Sequence, residues 1–393
     1  QKLGQSFKIR CQQALGQTVA LPEAAYHGDY LPALAQACIA EFGAAILEQS
    51  DQFFADYAKA HLLVAIQQTL QEYGVHFDVW FSELDLHQSG AILAVLERLQ
   101  QAGYTYEQDQ ATWFKSTQFG DDKDRVVRKS DGELTYVAAD IAYLKNKVTR
   151  GATHLVMVLG QDHHSYATRL QGLKQALGLT TPLDIIIYQL VSMQSSGEAV
   201  RMSKRAGNIV TLRGVIDTVG TDVARFFYLN RKADSQLEFN LDLALTKTEA
   251  NPVYYIQYAL VRIKSILRKA HSVLAPNLEL ACADEAQPAD NTSDYVPASS
   301  AAQAITEAEF GVILKICELK QILAAIERTQ QTHLLTYYAL ELARLFHHYY
   351  SQHQVLDATQ PALSQARLLV LAQLEQTLAL TLELMGLSRP ERM

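Results

Sequence analysis

The sequence has few of the features that mark secreted, membrane-spanning or zinc-binding proteins. Its four cysteines form no Cys-x-x-Cys pair and no Cys/His cluster at zinc spacing. We therefore expect reduced, buried thiols in a cytoplasmic protein. No uninterrupted apolar run reaches the roughly 18 residues of a membrane span, and the first residues show no secretory pattern. The chain opens on Gln1 without an initiating methionine, so we expect that sequence upstream is missing.

Basic residues are not in excess. The 34 Lys and Arg are outnumbered by 42 Asp and Glu, which gives a formal net charge of −8. This balance excludes a simple polycation that binds nucleic acid by charge alone. It does not exclude a nucleic-acid enzyme whose basic residues are clustered locally. The 49% apolar and 19% charged residues are typical of globular proteins, and 393 residues predict two domains or three.

Hydrophobic periodicity changes along the first 245 residues. Up to about residue 150, helical patterns, one of them ending at Gly74, are mixed with turns and with a short β-prone run at 76–83 (HFDVWFSE). Two apolar runs then flank a helical pattern, at 153–160 (THLVMVLG) and at 182–193 (PLDIIIYQLVSM). Strand, helix and strand with continuous apolar residues predict a buried parallel α/β sheet. The stretch 194–208 (QSSGEAVRMSKRAGN) predicts an exposed, mobile loop.

Four long helical patterns occupy the chain beyond residue 246, with no convincing strand among them. They predict an α-helical bundle. A Pro-, Ala- and acid-rich segment at about 275–302 interrupts the bundle and predicts a long, mobile loop. We therefore expect an α/β domain at 1–245 and an all-α domain at 246–393.

A cationic loop is the first candidate functional site. It runs Arg201, Met202, Ser203, Lys204, Arg205. Such a loop can close over a polyphosphate and bring an ammonium group to the charge that develops at the transferred group. The charges alone favour the alternative, a solvated basic turn between a strand and a helix.

The second candidate site follows the presumed strand at 153–160 and comprises Gln161, Asp162, His163 and His164. Ligands in open α/β sheets bind at the carboxyl ends of the strands, and the next helix N-terminus favours anions. Asp162 could instead cap that helix, with one histidine exposed and one packed. Asp-His-His also suggests a metal-dependent phosphoesterase, although the further aspartate motifs of those enzymes are not found.

A third pattern places Tyr136 and Asp140 four residues apart on a helix. A carboxylate beside an aromatic ring suits a guanidinium group, through fork-like hydrogen bonds and a cation–π contact. The alternative is that Asp140 only caps its helix.

The order of these patterns resembles the arginyl-tRNA synthetases of class I nearly end to end. Arg201–Arg205 is similar to the Lys-Met-Ser-Lys-Ser signature of that class, with arginine at the first and last positions. The other markers, in chain order, are AAYHGDY, FDVW, FGDDKDRVVRKSDGELTYVAADIAYLKNK, GQDHHSYATRLQGLKQALG, TDVARFFYL, DSQLEFNLDLA, NPVYYIQYA and LMGLSRPERM. The resemblance implies a Rossmann-like parallel-sheet catalytic domain, incomplete at its N-terminus, followed by an α-helical anticodon-binding domain.

Roles for single residues follow from the resemblance. It implies that the substrate arginine is held by Tyr136, Asp140 and Gln161. It implies that ATP lies near Asp162, His163, His164, Arg201 and Arg205. It implies a closing loop of Met202, Ser203 and Lys204, in which Lys204 stabilises charge during adenylate formation. For tRNA it implies stacking on Tyr254, Tyr255 and Tyr258, an approach to Met393, and phosphate contacts from Arg262, Lys264, Arg268 and Lys269. Burial of these tyrosines in the bundle core is the alternative.

The resemblance also implies a reaction and its partners. Arginine would be joined to the tRNA 3′ end through an arginyl-adenylate, with ATP as substrate, Mg²⁺ as its counter-ion and no tightly bound metal. The family is commonly monomeric and needs tRNA to activate arginine. Class I enzymes also need a His-Ile-Gly-His-like motif, and no His-x-Gly-His occurs in these 393 residues. We therefore expect a truncated chain that is inactive alone. The alternative is a non-catalytic tRNA-binding protein built from synthetase parts.

Overall fold

The computed structural model describes residues 2–199, 210–273, 303–357 and 359–393. They divide into two units. The first unit comprises Gln1–His76, Ser192–Lys232 and Glu238–Met393, and the second comprises Phe77–Val191 and Ala233–Leu237. The predicted mobile loop at 275–302 and the cationic segment 201–208 lie outside the described residues.

The second unit contains the strand–helix–strand pattern predicted for a parallel sheet. Its helices are α4 (Glu83–Gln88), α5 (Ala91–Gln101), α6 (Tyr136–Thr149) and α7 (His164–Ala176). Its strands are β1 (Thr105–Gln108), β2 (Ala111–Phe114), β3 (Arg125–Arg128), β4 (Leu155–Gly160) and β5 (Leu183–Tyr188). Strands β4 and β5 are parallel, with Leu155 opposite Leu183 and Gly160 opposite Tyr188. The parallel pairing is confirmed, and α7 connects the two strands and packs its apolar side into the core of the unit. The expected burial is wrong at Val156 and Val158 of β4, which are 52% and 62% exposed.

Two β-prone runs of the sequence do not each form one strand. Residues 76–83 form no strand: Phe77, Val79 and Trp80 are 55%, 49% and 42% exposed, and α4 begins at Glu83. Local β-propensity does not make a strand without a neighbour to pair with. The apolar run 182–193 is also not one strand, because it divides between β5 and β6 (Val191–Ser195).

The described part of the predicted loop at 194–208 is a β-hairpin. Strand β6 pairs antiparallel with β7 (Glu198–Ala199), with Ser195 opposite Glu198. The two turn residues Ser196 and Gly197 have φ of 55° and 76°, the conformation of a tight hairpin turn. Strand β8 (Leu237–Asn240) lies on the other side of β6. Backbone pairing therefore orders residues that lack any apolar periodicity.

The first unit is mainly helical. Its helices are α1 (Lys2–Ala14), α2 (Tyr30–Phe42), α3 (Asp51–Glu72), α8 (Leu212–Val219), α9 (Thr221–Leu229), α10 (Leu241–Leu245), α11 (Pro252–Val273), α12 (Glu307–Thr329), α13 (His333–Gln352) and α14 (Pro361–Leu384). The last four confirm the predicted bundle. Gly74, with φ of 76°, ends α3 as predicted, because glycine adopts this conformation without a steric penalty.

The cysteines are free where the structure describes them. Cys11 and Cys38 are fully buried in the core that α1, α2 and α3 share. Cys317 on α12 is exposed, so the expectation of buried thiols is wrong at this position. Cys282 lies outside the described residues. None of the helices that the structure describes is both long and apolar enough to cross a membrane.

Candidate active site and RNA-binding surface

Helix α6 positions Tyr136 and Asp140. A turn at Gly132, with φ of 84°, precedes the helix, and the hydroxyl of Thr135 donates to the carbonyl of Val126 at 2.7 Å. Thr135 is the N-cap residue, Tyr136 is the first residue of the helix, and Asp140 follows one turn later. The capping interpretation of Asp140 is therefore wrong, because its carboxylate lies inside the helix and not at its end.

The Asp140 carboxylate is half-buried beside a neutral hydrogen-bond donor. Burial raises its pKa, and a hydrogen bond from the Tyr166 hydroxyl favours the charged form. Within the described ranges no lysine or arginine side chain forms an ion pair with it; Arg169, which lies near, pairs instead with Asp121 at 3.2 Å. A partly desolvated carboxylate without a counter-ion is an expensive arrangement that a bound cation would stabilise.

A buried charge network holds Arg169, the arginine nearest to the Asp140 carboxylate in this network. Asp121 accepts hydrogen bonds from Arg125 at 2.8 Å and from Arg169 at 3.2 Å, and only 4% of the Asp121 side chain is exposed. Burial opposes the ionisation of Asp121, but the hydrogen bonds from Arg125 and Asp122 hold its pKa well below the usual range. The Arg169 guanidinium also lies 5.5 Å from the centre of the Tyr166 ring. Arg169 thus lies beside Tyr166 while it is paired with Asp121.

The other predicted residues of this site lie at the carboxyl end of β4. Gln161–His163 form a short 3₁₀ helix between Gly160 and α7. A Cβ atom on Gly160 would lie 2.8 Å from the Asp162 carboxylate, which is the movable end of an exposed side chain. His163 occupies the N-cap position of α7 and makes no capping hydrogen bond through its side chain.

The structural interpretation of the Asp-His-His triplet is wrong in both parts. Asp162 does not cap α7, and His163 and His164 are both exposed, so neither is packed. Across the ranges 2–199, 210–273, 303–357 and 359–393, no three His, Cys, Asp or Glu side chains are grouped to hold a metal ion. The phosphoesterase alternative gains no support from this arrangement.

The structure links Asp140 to Tyr166 and, through Tyr166, to His163. The His163 ring centre lies 5.8 Å from that of Tyr166, which is hydrogen-bonded to Asp140. Tyr136 is 67% exposed and Gln161 is half-buried. Tyr166 was missed in the sequence, although its spacing of three from His163 places both on one side of the first turn of α7. The predicted residues Arg201, Met202, Ser203, Lys204 and Arg205 lie outside the described residues.

A second candidate surface lies on α11. Tyr254, Tyr255 and Tyr258 are all half-buried, so none is a core residue. The rings of Tyr254 and Tyr258 are nearly parallel, with centres 6.2 Å apart, and His347 of α13 lies 5.7 Å from Tyr258. Burial lowers the pKa of His347, so this imidazole adds no positive charge at neutral pH.

Two cations of α11, Arg262 and Lys264, contact different kinds of side chain. Arg262 donates to the Tyr258 hydroxyl at 2.7 Å and lies over the Tyr350 ring at 4.6 Å. Lys264 pairs with Glu391 and lies 3.9 Å from Glu375. A phosphate contact from Lys264 would therefore have to compete with a carboxylate of the same chain. Arg262 contacts the Tyr258 and Tyr350 rings and forms no ion pair with the residues that the structure describes.

Comparison with protein families matches both parts of the chain. Residues 39–238 match the catalytic domain of class I (R) tRNA synthetases, and residues 256–393 match the DALR anticodon binding domain. The fold is therefore that of a class I aminoacyl-tRNA synthetase with a helical anticodon-binding domain.

Individual proteins give the same result. The chain is 40% identical to an arginine–tRNA ligase of Desulfitobacterium hafniense (strain DSM 10664 / DCB-2), covering 99% of this chain and 67% of that protein. Identity to the arginine–tRNA ligase of Moorella thermoacetica is also 40%, covering 100% of this chain and 68% of the relative. The chain thus spans about two thirds of the length of these relatives.

Solved structures of arginyl-tRNA synthetases have a similar fold. The crystal structure of a protein assigned as an arginyl-tRNA synthetase of Campylobacter jejuni superposes with a TM-score of 0.86 and 29% identity, covering 99% of this chain and 81% of that one. The Thermus thermophilus arginyl-tRNA synthetase, at 17% identity and a TM-score of 0.71, covers 99% of this chain and 74% of that one and supports the fold alone. The chain belongs to the arginyl-tRNA synthetase family.

Proposed function

We propose that this chain supplies the arginine-recognising and tRNA-recognising parts of an arginine–tRNA ligase that acts in the cytoplasm as a monomer. The observation that carries the proposal is the Asp140 carboxylate, which is half-buried and, within the part of the chain that the structure describes, has no ion-pair partner. A guanidinium group offers the charge and the paired N–H donors that such a carboxylate lacks. The exposed ring of Tyr136, one turn away, offers a stacking face.

The proposed reaction has two steps. The arginine carboxylate attacks the α-phosphorus of ATP, a new P–O bond forms, and pyrophosphate leaves. A tRNA ribose hydroxyl then attacks the carbonyl carbon of the adenylate, and AMP leaves. Gln161 would contact arginine, while Asp162, His163 and His164, exposed at the end of β4, would face ATP together with Arg201 and Arg205. The Met202–Ser203–Lys204 loop would close, with Lys204 stabilising charge on the phosphates.

Nucleotide chemistry would need Mg²⁺, which balances the ATP phosphates and lowers the charge of the leaving pyrophosphate. The Asp162 side chain is 81% exposed and could meet a hydrated ion. The tRNA would meet Tyr254, Tyr255, Tyr258, Arg262 and Met393. The two family matches end at residue 238 and begin at residue 256, which supports a domain boundary near residue 246.

We further propose that these 393 residues do not complete the reaction alone, because they contain no His-x-Gly-His to bind the ATP phosphates. The test is arginine-dependent exchange of pyrophosphate into ATP in the presence of an arginine-accepting tRNA, paired with a measurement of tRNA binding. We expect tightly bound tRNA and no exchange. Robust exchange would contradict the proposed inactivity. Failure to bind any tRNA would contradict the tRNA-recognising role.

A non-catalytic tRNA-binding protein is the second candidate, and the missing motif is the observation that favours it. The two are separated by joining the chain to the His-x-Gly-His-bearing part of a relative. Restored exchange would show that the arginine and ATP groups of this chain are functional, whereas tRNA binding without exchange would favour the second candidate.

A further inference from the structure

The chain ends in a non-helical segment that is nevertheless tied to two helices. Helix α14 ends at Leu384, Gly386 turns the chain with φ of 68°, and residues 387–393 continue without helix or strand. We call residues 387–393 the C-terminal tail.

Asp222, in the first turn of α9, holds the start of the tail. One oxygen of its carboxylate accepts a hydrogen bond from the backbone N–H of Ser388 at 2.9 Å, and the Ser388 hydroxyl also donates to the carboxylate. The amide of Gln257 on α11 donates to the other oxygen at 2.7 Å and lies 3.2 Å from the Ser388 carbonyl oxygen. Gln257 is only 9% exposed. Hydrogen bonds to an ionised acceptor are about twice as strong as neutral ones.

The tail then follows α11. Glu391 pairs with Lys264, and Arg268 donates to the Glu391 carbonyl oxygen at 3.3 Å. From Gln257 to Lys264 the helix rises about 10 Å at about 1.5 Å per residue. Three residues of extended chain, from Ser388 to Glu391, span about the same distance. The tail therefore lies extended along one line of α11.

This line borders the aromatic surface of the helix. With about 100° of rotation per residue, Tyr254, Tyr258 and Arg262 lie about 60° to 140° around α11 from Gln257. Buried side chains such as Ile256, Leu260 and Ile263 occupy the opposite side. The tail is thus one edge of the solvent-facing side of α11, and Met393 at its end is 52% exposed.

From this geometry we propose that Asp222 is a positioning residue for tRNA recognition, which fixes the tail along α11 and so completes the RNA-binding surface beside Tyr254 and Tyr258. Asp222 belongs to the range matched by the catalytic domain and not to the anticodon-domain match. The inference rests on the proposed tRNA-recognising role. An untethered tail would have to be ordered each time tRNA binds, at a cost in conformational entropy.

The experiment is a double-mutant cycle on the full chain. Asp222→Ala is compared with the parent chain and with a chain that ends at residue 387, and both changes are then combined. The probe is an arginine-accepting tRNA transcript, and its Kd is measured by filter binding. We expect Asp222→Ala to weaken binding by about tenfold or more, removal of residues 388–393 to weaken it at least as much, and the combination to add nothing further.

Controls separate the tail from charge and folding effects. Asp217→Ala on α8 removes an exposed carboxylate that pairs with Arg213 and should leave the Kd unchanged within about twofold. Gln257→Met removes the hydrogen bonds of Gln257 to Asp222 and to the Ser388 carbonyl oxygen and leaves Asp222 itself unchanged. This second anchor variant should show the same loss of tRNA affinity, and it replaces Asp222→Ala if that variant folds poorly. Hydrogen exchange at the Ser388 amide should become fast in Asp222→Ala, because the Asp222 carboxylate is its acceptor.

Each outcome is decisive. An unchanged Kd in both anchor variants overturns the inference, and so does an equal loss of affinity from Asp222→Ala in the chain that lacks the tail. If the parent chain binds no tRNA, the proposed function fails and the inference with it. A Ser388 amide that is protected from exchange in that parent and exposed in Asp222→Ala would then show that Asp222 holds the tail without serving tRNA.

Discussion

Glu309→Gln tests whether one buried carboxylate holds the helical bundle together. Glu309, in the first turn of α12, is fully buried and accepts hydrogen bonds from Tyr349 of α13 at 2.7 Å and from Arg367 of α14 at 2.8 Å. It also accepts the backbone N–H of Thr306 at 2.9 Å in a capping box. The substitution keeps the size of the side chain and removes its charge, so three helices lose a common acceptor and Arg367 loses its counter-ion.

The expected loss of stability in Glu309→Gln follows from the pKa of Glu309. Burial of Glu309 opposes ionisation, but the hydrogen bonds from Thr306, Tyr349 and Arg367 lower its pKa from 4.5 to about 2. A difference of about 2.5 units corresponds to about 3 kcal/mol at neutral pH. Breaking a buried ion pair by removing one partner costs about 3–5 kcal/mol. Both routes predict that Glu309→Gln lowers the free energy of unfolding by about 3 kcal/mol.

The same pKa fixes the pH dependence. Because the pKa of Glu309 is lower in the folded state than in the unfolded state, its contribution is fully present above pH 4.5 and is lost as pH falls towards 2. At pH 4 the parent should have lost about 1 kcal/mol of the Glu309 contribution to its free energy of unfolding. The difference in the free energy of unfolding between parent and variant should therefore be smaller at pH 4 than at pH 7 by about that amount.

Urea unfolding followed by far-ultraviolet circular dichroism measures the difference, since most of the helices belong to the first unit. Both tryptophans, Trp80 and Trp113, lie in the second unit, so their fluorescence reports that unit separately. Glu307→Gln, in the same helical turn but exposed, is the matched control and should cost less than about 1 kcal/mol. A loss below about 1 kcal/mol for Glu309→Gln, or a difference that does not change with pH, would refute the reasoning.

Two further substitutions address the arginine site and the end of α14. Asp140→Asn is tested in an enzyme where this chain follows a His-x-Gly-His-bearing segment. The KM for arginine should rise about a hundredfold or more, with a smaller effect on the KM for ATP, because the proposed pairing of Asp140 with the substrate guanidinium would be lost. Pyrophosphate exchange measures both KM values, and an unchanged KM for arginine would contradict the assignment. Gly386→Ala should destabilise the first unit by more than about 1 kcal/mol, because a Cβ atom there would lie 2.5 Å from the Arg225 guanidinium, which donates to the carbonyl oxygens of Tyr73 and Met385. Gly16→Ala, which also has a positive φ but meets no atom within 4 Å, isolates the backbone penalty, and equal urea midpoints for the two variants would argue against the clash.

Tertiary contacts overruled local patterns at identifiable places. The run at 76–83 is rich in aromatic and β-prone residues, yet no strand forms there, because pairing needs a neighbouring strand that the local sequence does not contain. The hairpin of β6 and β7 shows the reverse, since backbone hydrogen bonds and two residues with positive φ order a polar stretch. The exposed Cys317 likewise follows from which side of α12 faces the bundle.

The sequence by itself determined the helical bundle, the parallel β4–α7–β5 unit and the family, because long periodic segments and ordered motifs are local properties of the chain. It also pointed to Tyr136 and Asp140 as a pair. Only the tertiary structure decided that Asp140 lies inside α6 against Tyr166, with Arg169 already committed to Asp121. The anchoring of the C-terminal tail by Asp222 was equally invisible, since 166 residues separate Asp222 from Ser388. Burial and ion pairing depend on residues far apart in the chain, and folding alone brings them together.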